Sequence, residues 1–498
     1  MWQPREMWKA VDRLDRGLVQ RSALFPASRA DPAWKALTRL ADHSKLWCAT
    51  ASVFALRKGP ARRGAVRGLA AVAATSAVTN LLAKPTFPRR RPATYLLSPR
   101  RRLADPPRSS SFPSGHAASA AAFTTAVAME SPVLGVLVAP VAAGVAYSRV
   151  HVGAHWPSDV ATGALLGAAV GLATQRWWPV RPAKPGVARP SEAVCRIDDG
   201  DGLALLVNPL SGAAGHDPLP AVADQWPKAA LLRPNPEKDL GEQLDTMLGT
   251  RGDGIRALGV AGGDGTVGTA AAVAAERGLP LVVVPTGTLN HFARDVGVHT
   301  AEQAARALTE GTAVHVDLGT VEVDGGPPRW FVNTAGIGGY PDVVRLRQRW
   351  EPRLGKWPAA VLALVRVLAR ARPLRMRLDG TEVLMWGMFV GSGGFEPKGF
   401  TPSWRPRLDD GILDVRYVRA DLHWSRTRFV LSVLSGTLAR SRTYVQQDRE
   451  VLDVRLLCEP QPLACDGEVR LHGRTFRFVA RDEALRVYRP RDATGRLA

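Results

Sequence analysis

The chain has 498 residues, 46% of them hydrophobic, and carries 66 Lys and Arg against 45 Asp and Glu, a formal net charge of +21. That length exceeds what one core usually organises, so more than one domain is expected, and the charge calls for anionic partners. Four scattered cysteines, Cys48, Cys195, Cys458 and Cys465, argue against a disulfide framework or a zinc site, and with no stacking-aromatic signature for nucleic acid, an acidic lipid surface is the partner that remains.

Residues 1–45 begin MWQPREMWKAVDRLDRG, an amphipathic stretch with no apolar h-region, so no cleavable signal peptide is expected. Five apolar segments follow, at 46–56, 64–83, 117–129, 133–147 and 160–178, rich in Ala, Val, Leu and Gly, with Arg67 among their few charges. Most are shorter or less apolar than the ~20 residues of a membrane span. Two readings stay open on composition. One is a soluble helical bundle with an alanine-rich core. The other is about five membrane helices, packed through small residues, with Trp177 and Trp178 at an interface.

Three separated pieces of this region carry chemistry: Lys84 with Arg91-Pro92, then Pro113-Ser114-Gly115-His116, then Ser148-Arg149 with His155 and Asp159. His155 can attack phosphorus through one ring nitrogen if the other is held, and Asp159, four residues on, can accept that N–H. Pro157 between them predicts a helix start. Ser114 suits the N-cap of the apolar helix that follows, and His116 is placed to protonate a departing alkoxide. Lys84, Arg91 and Arg149, with the Ser114 hydroxyl and the N–H groups around Gly115, would spread positive charge over the non-bridging oxygens of a phosphate.

Taken singly, these residues are an Arg-rich loop and two capping histidines. Jointly, as K-x6-RP, PSGH and SR-x5-H-x3-D in order, residues 84–159 resemble the type 2 phosphatidic acid phosphatase (PAP2) superfamily. The resemblance implies a phosphohistidine at His155, acid catalysis by His116, and phosphate binding by Lys84, Arg91, Ser114, Gly115 and Arg149 without a metal. It also implies an all-α polytopic membrane helical bundle over residues 46–180. His151 falls outside the pattern.

A Pro-rich, basic break at Pro179 to Pro190 opens a linker, set at 181–201. Beyond it, residues 203–207, 256–261 and 281–284 read as buried parallel strands, each running into a turn: Asn208-Pro209-Leu210-Ser211-Gly212, Gly262-Gly263-Asp264-Gly265-Thr266, and Pro285 to Asn290. Such turns share one edge of an α/β sheet, where ligands bind. Glycines let a backbone approach polyphosphate, and the helix starting near Thr266 aims its N–H groups at the same place. A carboxylate beside phosphate repels unless it holds a cation or a ribose hydroxyl, so Asp264 points to magnesium-nucleotide.

The remainder reads mostly β, at 313–323, 329–334, 374–379, 382–391, 412–418, 451–457 and 474–488, around a basic amphipathic helix at 355–371. Arg407 to Asp414 gathers carboxylates that suit an Asp-Gly hairpin or a magnesium site, and Asp466-Gly467-Glu468 suits a hairpin turn. With NPLSG, GGDGT, PTGTLNHFARD, RLDDGILDV and CDGEV all present, residues 202–488 look like the bacterial diacylglycerol kinase family. The resemblance implies a two-lobe α/β and β kinase domain, akin also to NAD kinase, with a nucleotide lobe over about 202–318, a β-rich lobe over about 319–488 and a tail at 489–498. It implies ATP at Asn208, Ser211, Gly263, Asp264, Gly265, Thr266, Thr288 and Asn290, a structural Mg2+ at Asp410, and Glu468 as base toward a lipid hydroxyl. The family's asparagine-containing motif is missing around Gly391 to Gly394.

Together these readings give an expected bifunctional membrane enzyme, a lipid kinase facing the cytoplasm, where ATP is, and a phosphatase facing outward by the parity of the apolar segments. Its partners would be membrane lipids and ATP, not nucleic acid. The alternatives are a phosphatase with a nucleotide-binding regulatory module, or a kinase acting on a non-lipid alcohol.

Overall fold

Alanine and glycine dominate the helix contacts of the first 180 residues, and β-branched and aromatic side chains the sheet that follows. The computed structural model describes residues 4–493 except 25–27, 58, 94–97, 104, 106–108, 183, 193, 212–216, 252–253, 288–289 and 400–402. Its contacts divide the chain into two compact units, Met1–Val180 and Arg181–Ala498.

The first unit is helical: α1 (Pro4–Ala23), α2 (Asp31–Leu40), α3 (Lys45–Ala55), α4 (Pro60–Ala77), α5 (Gly115–Glu130), α6 (Pro132–His151) and α7 (Pro157–Ala173). Proline stands at the start of α4, α6 and α7, where its missing N–H costs nothing. A π-helical turn, Val78–Ala83, carries α4 on to Thr86 and so delivers Lys84. Trp47, Phe123, Val127, Val138 and Val145 form the core among buried alanines. Arg67 is wholly buried there. It donates to Glu130 Oε1 (2.9 Å) and Thr174 Oγ1 (3.0 Å) and lies 4.8 Å from the Trp178 ring, which is how so apolar a bundle accommodates the charge.

Pro60–Thr86 and Pro132–His151 are the two helices, among the described residues, long and apolar enough to cross a membrane. The other three segments expected to cross fall short: α3, α5 and α7 have 11, 16 and 17 residues. At ~1.5 Å per residue even α7 spans only about 26 Å, under the ~30 Å of a hydrocarbon core.

Gly163, Gly167 and Gly171 line the face of α7 that meets α5. A Cβ at Gly163 would lie 2.4 Å from the Ser114 carbonyl oxygen, and one at Gly167 would lie 1.9 Å from that of Ala118. Backbone therefore touches backbone. Alanine normally stabilises a helix over glycine by about 1 kcal/mol, but Gly167→Ala must push α5 and α7 apart and should destabilise by about 2 kcal/mol or more. Gly249→Ala, whose Cβ meets nothing within 4 Å, should do the opposite. Thermal unfolding of both variants in detergent checks the pair, and equal effects would contradict the close approach.

In the second unit, β1 (Leu203–Val207), β2 (Ala230–Leu232), β3 (Ala257–Gly262) and β4 (Leu281–Pro285) run parallel in the order β2-β1-β3-β4. All residues of β1 and β3 are buried, as apolar runs covered on both faces must be. β5 (Ala313–Val323) then leads into an antiparallel region built from β6 (Thr334–Gly338), β7 (Leu374–Leu378), β8 (Thr381–Ser392), β9 (Leu413–Arg419), β10 (Tyr444–Arg449), β11 (Val451–Leu456), β12 (Gln461–Cys465), β13 (Glu468–Gly473) and β14 (Thr475–Tyr488). β5 and β14 pair along most of their length, and Val487 pairs with Leu281, so one continuous sheet joins both regions. Val316 and Val487 lie in the core of the parallel region, while Val321 and Phe478 lie in that of the antiparallel region.

Two turn expectations come out differently. Asp466-Gly467 is a two-residue hairpin between β12 and β13, with both φ angles positive (46° and 87°), the backbone that suits the twist of a hairpin. Arg407 to Asp414 is not a hairpin: β8 and β9 are antiparallel neighbours, but residues 393–412 separate them.

Candidate active sites

The start of α7 and the start of α5 meet through one backbone bond, Ser114 N–H to the Asp159 carbonyl (3.0 Å). His155 precedes α7 and is buried. Its Nδ1 is 2.6 Å from the Ser111 carbonyl oxygen, which can only accept, so the proton sits on Nδ1 and Nε2 keeps its lone pair. The expected partner was Asp159, but its Oδ2 is 3.9 Å from Nδ1, beyond hydrogen-bond distance. Asp159 instead caps its own helix, accepting the Trp156 N–H (3.0 Å), and takes Arg89 Nη1 (2.7 Å), as a carboxylate in the third position of a helix readily does.

Arg91 reaches His155 directly: Nη1 is 3.3 Å from Nε2 and donates to the Ala154 carbonyl (2.5 Å). Arg149 accepts the His155 N–H on its own carbonyl (3.2 Å), while its Nη1 donates to Thr38 (3.1 Å) and its buried Nε has no partner among the described residues. Burial, then the charges of Arg149 and Arg91, hold the His155 imidazole well below its ordinary pKa. Ser114 stands at the N-cap of α5, but its hydroxyl caps nothing and is buried without a partner among the described residues. Gly115 opens α5, leaving room beside Thr79. Lys84 Nζ donates to Asn80 (3.0 Å), and His116 Nε2 meets Asp42 Oδ1 (2.7 Å).

Sequence reasoning passed over Arg89. It donates to Asp12 (3.1 Å), Asp15 (2.8 Å), Ser158 (2.8 Å) and Asp159 (2.7 Å) at once. Within the run Arg89-Arg90-Arg91, nothing in the sequence ranks one arginine over its neighbours.

In the second unit the three turns after β1, β3 and β4 converge. Asn208 Nδ2 donates to Thr266 Oγ1 (3.0 Å), and the Ser211 and Thr286 hydroxyls are 2.8 Å apart. A Cβ on Gly287 would come within 2.8 Å of Gly263 Cα, so the third turn lies on the second. Gly263 caps α8 (Asp264–Glu276), and open space surrounds the missing Cβ of both Gly263 and Gly265. That leaves a helix N-terminus with a side-chain-free cradle, which fits a nucleotide's phosphates. Asn290 turns left-handed (φ 49°), donates to the Gly287 carbonyl (2.7 Å) and begins α9 (His291–Val296). Thr288 lies outside the described residues.

Asp264 has a structural job beside the nucleotide role expected of it. Its Oδ1 accepts the His291 N–H (2.8 Å), tying the start of α9 to that of α8. Asp410 is engaged by backbone. Its oxygens face the N–H groups of Gly394 (2.8 Å) and Ile412 (3.5 Å), neighbouring Asp409 is taken by Arg189 and Arg407, and no group of three or more His, Cys, Asp or Glu suited to a metal occurs among the described residues.

Glu468 opens β13 opposite Cys465. The residue beside it that sequence reasoning undervalued is Asp466. It is half-buried and accepts the N–H groups of Val332 (2.8 Å), Asn333 (2.8 Å) and Thr334 (2.9 Å); desolvation raises its pKa against the pull of those three donors. A Cβ on Gly268 of α8 would lie 3.1 Å from Asp466 Oδ2. The CDGEV turn therefore rests on the helix that the GGDGT turn begins.

Known proteins match both units. The PAP2 superfamily model matches residues 65–182, and the model for the diacylglycerol kinase catalytic domain matches residues 202–321. The diacylglycerol kinase of Mycobacterium tuberculosis (strain ATCC 25618 / H37Rv) is 32% identical over 249 residues, covering 47% of this chain and 78% of the relative. The chain belongs to the diacylglycerol kinase family. A "Probable lipid kinase YegS-like" of Xanthomonas oryzae pv. oryzae (strain MAFF 311018) is also 32% identical, over 253 residues covering 48% of this chain and 81% of the relative. Ahead of the kinase half stands a PAP2 domain. Among solved structures, a transmembrane PAP2 type phosphatidylglycerolphosphate phosphatase from Bacillus subtilis is 21% identical over 33% of this chain and 85% of its own, with a TM-score of 0.27. The chain is thus an enzyme with a phosphatase domain and a lipid kinase domain on one polypeptide.

Proposed function

We propose that the chain is a bifunctional membrane enzyme, hydrolysing a lipid phosphate or polyprenyl diphosphate through a phosphohistidine and phosphorylating a lipid hydroxyl, diacylglycerol-like, with ATP. The observation that carries the first half is the His155 ring, whose Nδ1 is tied to Ser111 while Nε2 faces Arg91. Nε2 forms the N–P bond as the bond from phosphorus to the leaving oxygen breaks, and His116 gives that oxygen its proton. Water then attacks the phosphohistidine, His116 takes back a proton, and phosphate and free His155 result. Lys84, Arg91, Arg149, the Ser114 hydroxyl and the Gly115 N–H hold the non-bridging oxygens, and Asp159 acts through Arg89 and the start of α7 rather than on the ring.

In the kinase half, bound ATP, used with magnesium, supplies the transferable phosphoryl group. Asn208, Ser211, Gly263, Asp264, Gly265, Thr266 and Asn290, with Thr288, would hold it. Glu468 would take the proton of the lipid hydroxyl as that oxygen attacks. A kinase needs cytoplasmic ATP, so the second unit lies in the cytoplasm. The phosphatase site then faces outward, with α5, α6 and α7 each crossing and the bilayer thinning around the short α5 and α7.

Incubating the detergent-solubilised chain with labelled ATP and a total lipid extract should give a labelled lipid and a separate dephosphorylated one, both identified by mass. Binding of ATP without any labelled lipid would overturn the kinase assignment in favour of a regulatory nucleotide module.

A further inference from the structure

The PAP2 match begins at residue 65, yet residues ahead of it supply several hydrogen-bond partners of the cationic site. Asp15 on α1 accepts from Arg89 (2.8 Å) and from the Ser158 N–H (2.9 Å) at the start of α7. On α2, Asp31 meets His151 (3.0 Å), and Thr38 meets Arg149 (3.1 Å) and Ser148 (2.8 Å). Just after α2, Asp42 meets His116 (2.7 Å). Asp15, Asp31 and Thr38 are all buried.

Asp42 is presented by an unusual piece of backbone. His43 (φ 54°) and Ser44 (φ 60°) are consecutive non-glycine residues in the left-handed region, a conformation that side chains resist and that persists only where the surroundings impose it. The turn they make lies between α2 and α3 and places a carboxylate against the ring nitrogen of His116. A carboxylate accepts only, so Nε2 carries the proton in that bond. Nδ1, which has no partner among the described residues, is the nitrogen left to face a leaving group.

We infer that the segment ahead of residue 65 completes the phosphatase site, with Asp42 as the positioning residue that holds His116 through Nε2 so that Nδ1–H delivers the proton to the leaving oxygen. The inference rests on His116 as general acid. The arrangement is that of a carboxylate steadying a catalytic imidazole from behind, which fixes its orientation and favours the ion it becomes when doubly protonated. Every proton is accounted for: the Nδ1 proton passes to the leaving alkoxide, and the other stays on Nε2, hydrogen-bonded to Asp42.

The test separates acid catalysis from a structural role by leaving group. A diacyl phosphatidate loses the alkoxide of a diacylglycerol, which must be protonated, whereas p-nitrophenyl phosphate loses a phenolate that need not be. With the full chain in detergent, Asp42→Asn should lower kcat/KM for dioctanoyl phosphatidate by roughly ten- to a hundred-fold and that for p-nitrophenyl phosphate by no more than about threefold. His116→Gln should show the same selectivity more strongly, and the double variant should be no worse than His116→Gln alone. Phosphoenzyme trapped from p-nitrophenyl phosphate reports that each variant is folded; if Asp42→Asn does not fold, Asp42→Ala, expected to show the same selective loss, serves instead. A selective loss in His116→Gln with none, or an equal loss on both substrates, in the Asp42 variants overturns the role of Asp42 and leaves His116 standing. Equal losses on both substrates in His116→Gln overturn the acid itself, and the role of Asp42 falls with it.

Discussion

His155→Ala should leave less than about a thousandth of the phosphatase activity while the kinase activity of the same chain is undiminished. The substitution removes the atom that forms the bond to phosphorus, so enzyme denatured at alkaline pH, where a phosphohistidine survives, should hold trapped phosphate in the parent chain and none in the variant. Asp159→Asn should be milder, because Asp159 touches Arg89 and the helix start and stays 3.9 Å from the ring. The pH profile adds a sign. The attacking form is the neutral imidazole, and burial with Arg149 and Arg91 holds its pKa well below the ordinary value. The neutral form is therefore retained as pH falls through the ordinary histidine range, and the acid limb of kcat/KM should begin well below pH 6.5. Phosphatase activity in His155→Ala, or an acid limb at or above the ordinary histidine value, would sink the assignment.

How legible was this site? The residue types and their spacing were visible because each belongs to a local pattern: a cap before a helix, a proline at a helix start, a lysine seven residues before an arginine. Their partners were not. Asp15 and Ser158 are 143 residues apart, and His116 and Asp42 are 74 apart, and no periodicity marks a polar contact across such distances. Nor could spacing tell that Asp159 turns to its own helix start rather than to His155. Four residues on a helix bring two side chains to one side, but a free N–H on the helix and a guanidinium beside it compete for the same carboxylate.

In the kinase half the legible strands were those with β-branched or strongly alternating runs, such as 281–285 and 313–323. β6 (TAGIG) and β10 (YVQQDR) gave no such signal, since glycine packs nothing and a polar strand alternates nothing. The nucleotide turns were readable because glycine and asparagine mark backbone that other residues avoid. Asp264 shows the limit of that reasoning. Its chemistry suggested a cation, and its geometry supplies the first N–H of the next helix with an acceptor.

Asp466→Ala should be the most damaging change in the kinase half that leaves every nucleotide-turn residue in place. It strips the acceptor from three backbone N–H groups at once, those of Val332, Asn333 and Thr334. A buried donor left unpaired costs about 1–3 kcal/mol, Val332 being buried and Asn333 and Thr334 half-buried, while removing a half-buried carboxylate whose pKa is already raised returns part of its desolvation. The net loss should be on the order of 4 kcal/mol, a large share of a domain's stability. Asp466→Asn should cost less, since Oδ1 already serves two of the three donors and an amide oxygen can replace it, but the amide N–H would oppose that of Val332. Because the turn rests on Gly268 and carries Glu468 at its far side, the same change should displace the proposed base and abolish labelled-lipid formation. Phosphatase activity should persist, being housed in the other unit. Thermal unfolding followed alongside the kinase assay tests both parts, and an Asp466→Ala chain that keeps its stability and its kinase activity would mean that the three N–H groups find another acceptor.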